Sequence, residues 1–190
     1  MRSEDNSGHK PRLARYAGSM VTDLVQIRRL GEKKRGENQQ FRHYLKRHNF
    51  VERRLRIIAE EIEDQTDCTQ CANCCRVATV QLSERDVEKI SKFLRIKPSQ
   101  FLRDYTMQSE EEGLILKRTE SGCVFLSGND CTIYESRPRT CVDFPHLVRG
   151  SGSFLNRMWQ MPDRATYCPI VYNSLEAFKE EVGFRAAPGS

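Results

Sequence analysis

The sequence predicts a small, mainly helical, loop-rich α+β domain with a minor β-hairpin, preceded by a long amphipathic helix. Apolar residues recur every three or four positions over much of the chain, and short extended stretches are confined to its middle. Eight cysteines sit in a chain of only 38% apolar residues (AVILMFWYC), against 30% charged ones. The expected core is thin for 190 residues, a length that suits one domain with an added arm. Eight cysteines are too few for a disulfide-dense mini-protein and too many for packing alone. No window approaches the roughly 18–20 apolar residues of a membrane-crossing helix. Nine Phe, six Tyr and regular periodicity argue against full disorder.

The elements follow in order. Residues 1–37 read as a flexible basic N-terminal arm. Residues 38–66 hold a basic amphipathic helix, from about Asn38 to Glu63, with Phe41, Tyr44, Leu45, His48, Val51, Leu55, Ile58 and Ile62 on one stripe. It ends in Glu60, Glu61, Glu63 and Asp64, the wrong sign for a helix C-terminus. Residues 67–185 form the cysteine-cluster domain, and 186–190 a disordered tail. Within the domain, Val77, Val80 and Leu82 suit a short extended piece, and Ser83 with Asp86 opens a helix along Val87, Ile90, Phe93 and Leu94. Pro98 starts a second helix through Phe101, Leu102 and Tyr105. Residues 113–126 read as two short strands about a Glu-Ser-Gly turn, residues 131–168 as turns and loops, and residues 173–181 as a last helix.

The net charge of +5 lies in residues 1–66, where fifteen Lys and Arg face ten Asp and Glu; the remainder balances to zero. A basic helix of this kind suits nucleic acid or an acidic protein partner, or is simply a solvated face packed by its stripe on the body. Glu4, Asp5 and Asp23 interrupt residues 1–30, which lack the pattern of a secretory signal, so the expected setting is the reducing cytoplasm. There, cysteines stay free or bind metal.

The cysteines are Cys68-x2-Cys71-x2-Cys74-Cys75, then Cys123, Cys131, Cys141 and Cys168. Thiols three residues apart in an irregular loop converge on one centre, with backbone N–H groups offsetting their charge, as in zinc knuckles and iron–sulfur loops. Adjacent side chains diverge, so Cys75 is expected to reach a second centre, or a different metal of one multinuclear centre. Eight thiolates suffice for two four-coordinate sites, and all eight are metal-ligand candidates. Arg76, Arg137 and Arg139 are the candidate cofactor-binding cations, since four thiolates on a divalent ion leave a net charge of −2. Disulfides are disfavoured by the missing secretory signal, and a redox Cys-x2-Cys pair by the missing βαβ pattern.

Cys-Thr-Gln-Cys-Ala-Asn-Cys-Cys, then Gly122-Cys-Val-Phe-Leu, then Asn129-Asp-Cys-Thr-Ile-Tyr-Glu-Ser-Arg-Pro-Arg-Thr-Cys-Val-Asp-Phe-Pro, resembles the YkgJ-type cysteine-cluster family over about residues 66–146, with an expected extension to Cys168-Pro169. That resemblance implies a zinc- or iron-chelating domain, whose members are often labelled iron–sulfur oxidoreductases. It marks Cys68, Cys71, Cys74, Cys75, Cys123, Cys131 and Cys141 as ligands; Cys168 falls in a more variable region. Ala72 stands where the family commonly has Gly, and Val142 where it commonly has a basic residue. A related cluster also accompanies methyltransferase-like activity on flagellin lysines, a likeness of motif only.

His43 and His48 lie too far around one helix to chelate together. His146 reads as a loop hydrogen-bonding residue, with a ligand or acid/base role as the alternative; Tyr134 reads as packing and Trp159 as a core anchor. No nucleotide-binding glycine loop, zinc-protease motif, deaminase motif or serine elbow is present. The expectation is a metal-binding protein ligating iron (as ions or an iron–sulfur cluster) or zinc, with a redox or electron-transfer role and a redox partner. As an enzyme it would be an iron-dependent oxidoreductase or an accessory subunit of a modification enzyme. The alternative is a structural zinc module whose basic helix binds nucleic acid or an acidic protein.

Overall fold

In the computed structural model, residues 20–48 and 50–187 are described; the arm's residues 1–19 and the tail's 188–190 lie outside them. Asp23 caps the first helix, α1 (Leu24–Lys33), by accepting the Gln26 N–H at 2.7 Å. The apolar stripe beyond it does not form the expected long helix. It is divided into α2 (Arg35–Arg47) and α3 (Glu52–Asp64), because His48 and Val51 adopt extended backbone. The break lets Phe50 meet Phe154 and Phe178 edge-on, with ring centroids 6.2 and 6.1 Å apart. A straight helix over this stretch would run roughly 39 Å and carry its two ends to different neighbours. Folded, both halves of the stripe reach one core: Phe41 and Leu45 from α2, Leu55, Ile58 and Ile62 from α3.

Three basic residues of this region are engaged with acids of the C-terminal part of the chain. Lys34 pairs with Glu176, Arg35 with Asp163, Arg54 with Glu181, and the buried Lys179 bridges Glu37 and Glu176 at 2.7 Å each. Helix α1 approaches its neighbour closely enough to need glycine: a Cβ on Gly31 would lie 2.5 Å from the Ala165 carbonyl oxygen.

Two short helices, α4 (Cys68–Cys71) and α5 (Asn73–Val77), follow, joined by Ala72. Then come α6 (Glu84–Leu94), with the expected start at Ser83, and α7 (Pro98–Tyr105). Strand β1 (Thr106–Ser109) pairs antiparallel with β2 (Gly113–Leu116), whose Ile115 also bridges Gln81 of the extended piece. Two further antiparallel pairs are β3 (Arg118–Thr119) with β4 (Gly122–Cys123), and β5 (Leu126–Ser127) with β6 (Asp130–Cys131). A second core forms here from Val80, Val87, Ile90, Phe101, Leu116, Phe125 and Ile133.

The stretch read as loops contains a 3-10 turn at Tyr134–Ser136, α8 (Arg139–Asp143), α9 (Phe154–Arg157) and α10 (Met161–Arg164). Trp159 is not a core anchor: it is 56% exposed, and its neighbours Met158 and Met161 take the buried positions. The last helix, α11 (Pro169–Glu181), starts earlier than its stripe suggests, since proline is preorganised for the first helical position. It returns the chain to the first core, with Leu175 and Phe178 fully buried. The mainly helical α+β expectation therefore holds without the single long helix.

Asp86 ties the second core to the cysteine-bearing segment beyond it. One carboxylate oxygen accepts from the Ser83 N–H at 3.0 Å in a reciprocal capping box, and the other accepts the Arg139 N–H at 2.8 Å, at the start of α8. Asp86→Ala removes part of the cap and orphans a backbone donor at a largely buried side chain. Its expected cost in urea unfolding is about 2–3 kcal/mol, with partial recovery in Asp86→Asn.

Candidate metal centre

The cysteines lie where the two cores meet. Cys168 belongs to the first core, while Cys123, Cys131 and Cys141 pack against the second. Helices α4 and α5 run between them, turned by Ala72 in the left-handed region (φ 45°, ψ 13°), the conformation for which glycine is the cheapest residue. The family's usual glycine at this point is thereby explained, and the turn survives its replacement. In α5 successive side chains are about 100° apart, but the neighbouring thiols of Cys74 and Cys75 stay within hydrogen-bond reach of each other, and Cys74 also lies near both Cys168 and Cys141.

Two hollows result, both walled by Phe144 and Cys74. The smaller, about 20 Å³, is lined by Cys68, Cys71, Cys74 and Cys168. The larger, about 60 Å³, is lined by Cys75, Cys123, Cys131 and Cys141 as well as Cys74. Organic ligands need roughly 300–1,000 Å³, so these spaces suit ions or small inorganic groups. The chain segments forming the hollows are tied together by hydrogen bonds. The Asn73 side chain donates to the Tyr167 carbonyl at 2.7 Å, next to Cys168, and the Asn129 side chain donates to the Gln70 carbonyl at 2.8 Å. A Cβ on Gly122 would lie 2.6 Å from the Cys75 carbonyl oxygen, so glycine is what lets β4 carry Cys123 up to Cys75.

Burial pushes the Cys141 and Cys168 thiols up to about 12, and neighbouring sulfurs add to the effect. Opposing this, backbone N–H groups act on the sulfurs and favour thiolates: Phe125 on Cys123, Ile133 on Cys131, Val171 and Ile170 on Cys168. The Cys168 pair comes from the first turn of α11, where the helix dipole also favours negative charge. Cys75 is held below the ordinary thiol range, first by a hydrogen bond from Cys74 and then by the charges of Arg76, Arg137 and Arg118. Cys68 is instead raised, by burial, by Cys71, and by the carboxylates of Glu63 and Asp67.

The donor set fits a thiolate-bound metal: the smaller hollow has four cysteines to offer and the larger five, Cys74 being common to both, and the N–H groups are arranged to support sulfur anions. Among the described residues no three His, Cys, Asp or Glu side chains form a ready-made ion-binding group.

A family model named CxxCxxCC and described as "Putative zinc- or iron-chelating domain" matches residues 67–169, more than half of the chain. The chain belongs to the CxxCxxCC family. No curated protein and no solved structure matches it. The family's match ends at Pro169 and so takes in Cys168 along with the seven cysteines of the motif.

The arginines proposed from sequence part company. The Arg76 guanidinium reaches the Cys71 and Gly128 carbonyls at 3.0 Å each, and Arg137 lies 4.0 Å over the Tyr134 ring beside the larger hollow. Arg139 turns to Asp143 at 2.8 Å and lines a different cavity. Arg118, unremarked in the sequence, belongs with the first two. It faces Cys123 in the β3–β4 register and donates to the Ala78 carbonyl at 2.7 Å. The turn between residues 119 and 122 was the available signal.

His146 lines neither hollow. Burial, with the positive charge of Arg164, lowers its imidazole from the ordinary 6.5 to about 4. Above pH 6.5 the folded and unfolded chains both hold it neutral. As pH falls from 6.5 towards 4, only the unfolded chain takes up the proton, so this residue lowers stability across that window. Urea unfolding of His146→Asn, which tolerates the left-handed backbone at this position (φ 66°), should lose less stability between pH 7 and pH 5 than the native chain does. Equal losses in the two proteins would contradict the assignment.

Proposed function

We propose that this chain binds metal at two four-thiolate centres, one of Cys68, Cys71, Cys74 and Cys168, the other of Cys75, Cys123, Cys131 and Cys141. The division of the eight thiols between two hollows carries the reading. Cys74 borders both; it completes the first set because the second already has four donors without it. Iron in such sets supplies one-electron redox chemistry, whereas zinc cross-links without a redox change. With iron, the protein is an electron-transfer or oxidoreductase component.

The chain's own residues support anionic centres unequally. Arg76, Arg118 and Arg137 offset charge at Cys75, while Glu63 and Asp67 add to it at Cys68. A structural zinc role is favoured by one observation of its own, the location of both sets between two separate hydrophobic cores.

Anaerobic purification followed by metal analysis and a visible spectrum separates the metals: a colourless protein with stoichiometric zinc and no iron ends the redox reading. The Cys75→Ser and Cys168→Ser variants test the division. Each is expected to lose about half of the bound metal and retain the rest, as two separate four-coordinate sites require. Complete loss in both would show one shared centre.

A further inference from the structure

On the far side of α8 from the larger thiol hollow lies a second cavity of about 550 Å³, within the range that accommodates small organic molecules. Its wall includes Arg139, Arg157 and Arg164, with Asp143, His146 and the exposed face of Trp159. Three guanidinium groups thus face a single lining carboxylate. Arg157 holds the glycine-containing loop in shape, donating to the carbonyls of His146 at 2.9 Å and Ser151 at 3.2 Å. Arg164 donates to the Pro145 carbonyl at 3.2 Å and to the Tyr167 side chain, with its guanidinium 5.7 Å from the Phe144 ring, and among the described residues no carboxylate lies within ion-pair distance of it. A half-buried cation facing no carboxylate gains from an anion that joins it.

Two other groups in the same wall lack partners. Asp143 is 6% exposed, and one of its carboxylate oxygens is buried without a hydrogen bond; so is Nε2 of His146. Buried polar atoms are rarely left so unless something else fills the site. The other Asp143 oxygen accepts from Nε of Arg139, whose side chain remains 73% exposed. Among the described residues its terminal nitrogens make no hydrogen bond, leaving them available to a ligand.

We propose that this cavity binds a small molecule carrying an oxyanion, a carboxylate or phosphate, together with a hydroxyl or amino group. The oxyanion takes the charge of Arg139 and Arg164, and the hydroxyl or amino group meets the unpartnered oxygen of Asp143 and the His146 ring. Trp159 covers the carbon portion. This site does not rest on metal binding, since none of its groups is a thiol, although Thr140 lines both it and the larger thiol hollow.

Trp159 is the only tryptophan of the chain, so its fluorescence reports on this cavity alone. The purified, metal-loaded protein is titrated with sodium phosphate and, separately, with sodium lactate, against sodium chloride at matched ionic strength. A saturable change in Trp159 emission with phosphate, with lactate or with both, absent with chloride, is expected, and the stronger response identifies the oxyanion. Arg139→Gln should weaken it by about tenfold or more, as befits one lost charge-assisted contact, while keeping a cooperative melt and the native metal content. Arg164→Gln, if still folded by the same melt, should weaken it at least as much. Absence of a saturable response to either salt, or an undiminished response in folded Arg139→Gln, overturns the proposal. So does a response lost only together with the bound metal, which would assign it to the thiol centres.

Discussion

One pair of adjacent thiols, placed where two hollows meet, is the constraint on which the rest of this structure depends. Cys74 and Cys75 sit on one short turn of helix and share a hydrogen bond, Cys74 bordering both hollows and Cys75 the larger one. One side of that helix meets the start of α11 and Cys168; the other meets the small strands and α8, which carry Cys123, Cys131 and Cys141. Phe144 stands between the two groups and lines both hollows. The arrangement requires a left-handed residue at Ala72 and a glycine at Gly122, both of which the chain provides.

The two hydrophobic cores explain why the thiols lie where they do. The first is made by the beginning and end of the chain, with α1, α2 and α3 folded onto α9, α10 and α11. The second is made by the middle. Their junction is built from short helices, two-residue strands and side-chain hydrogen bonds to carbonyls, with little continuous apolar surface of its own. Metal ligation couples directly to folding, and thiolate centres there would join elements that packing joins weakly. The surplus positive charge has a separate explanation: several of the basic residues before residue 66 neutralise acids on α10 and α11, as Lys34, Arg35 and Arg54 do.

Local features were legible in the sequence, and features that depend on distant partners were not. The capping box at Ser83 and Asp86, the proline-started helix at Pro98 and the hairpin turn before Gly122 each occupy a few neighbouring residues. The break at residues 48–51 is not local, because Phe50 turns inward to reach Phe154 and Phe178, more than a hundred residues onward. Nor could spacing say that Cys168 returns to Cys68 and Cys71, since that meeting is made by the packing of α11. Proximity in sequence was misleading for Arg139: two residues before Cys141, it lies on the opposite side of α8 from the thiols. Arg118 was missed for the converse reason, being brought to Cys123 by strand register.

The central claim is that sulfur alone holds the metal, and X-ray absorption at the metal edge of the purified protein tests it most directly. The account predicts a first shell of about four sulfurs per metal at about 2.3 Å. A shell dominated by nitrogen or oxygen, or one that keeps its sulfurs when both Cys75 and Cys168 are replaced by Ser, would contradict it.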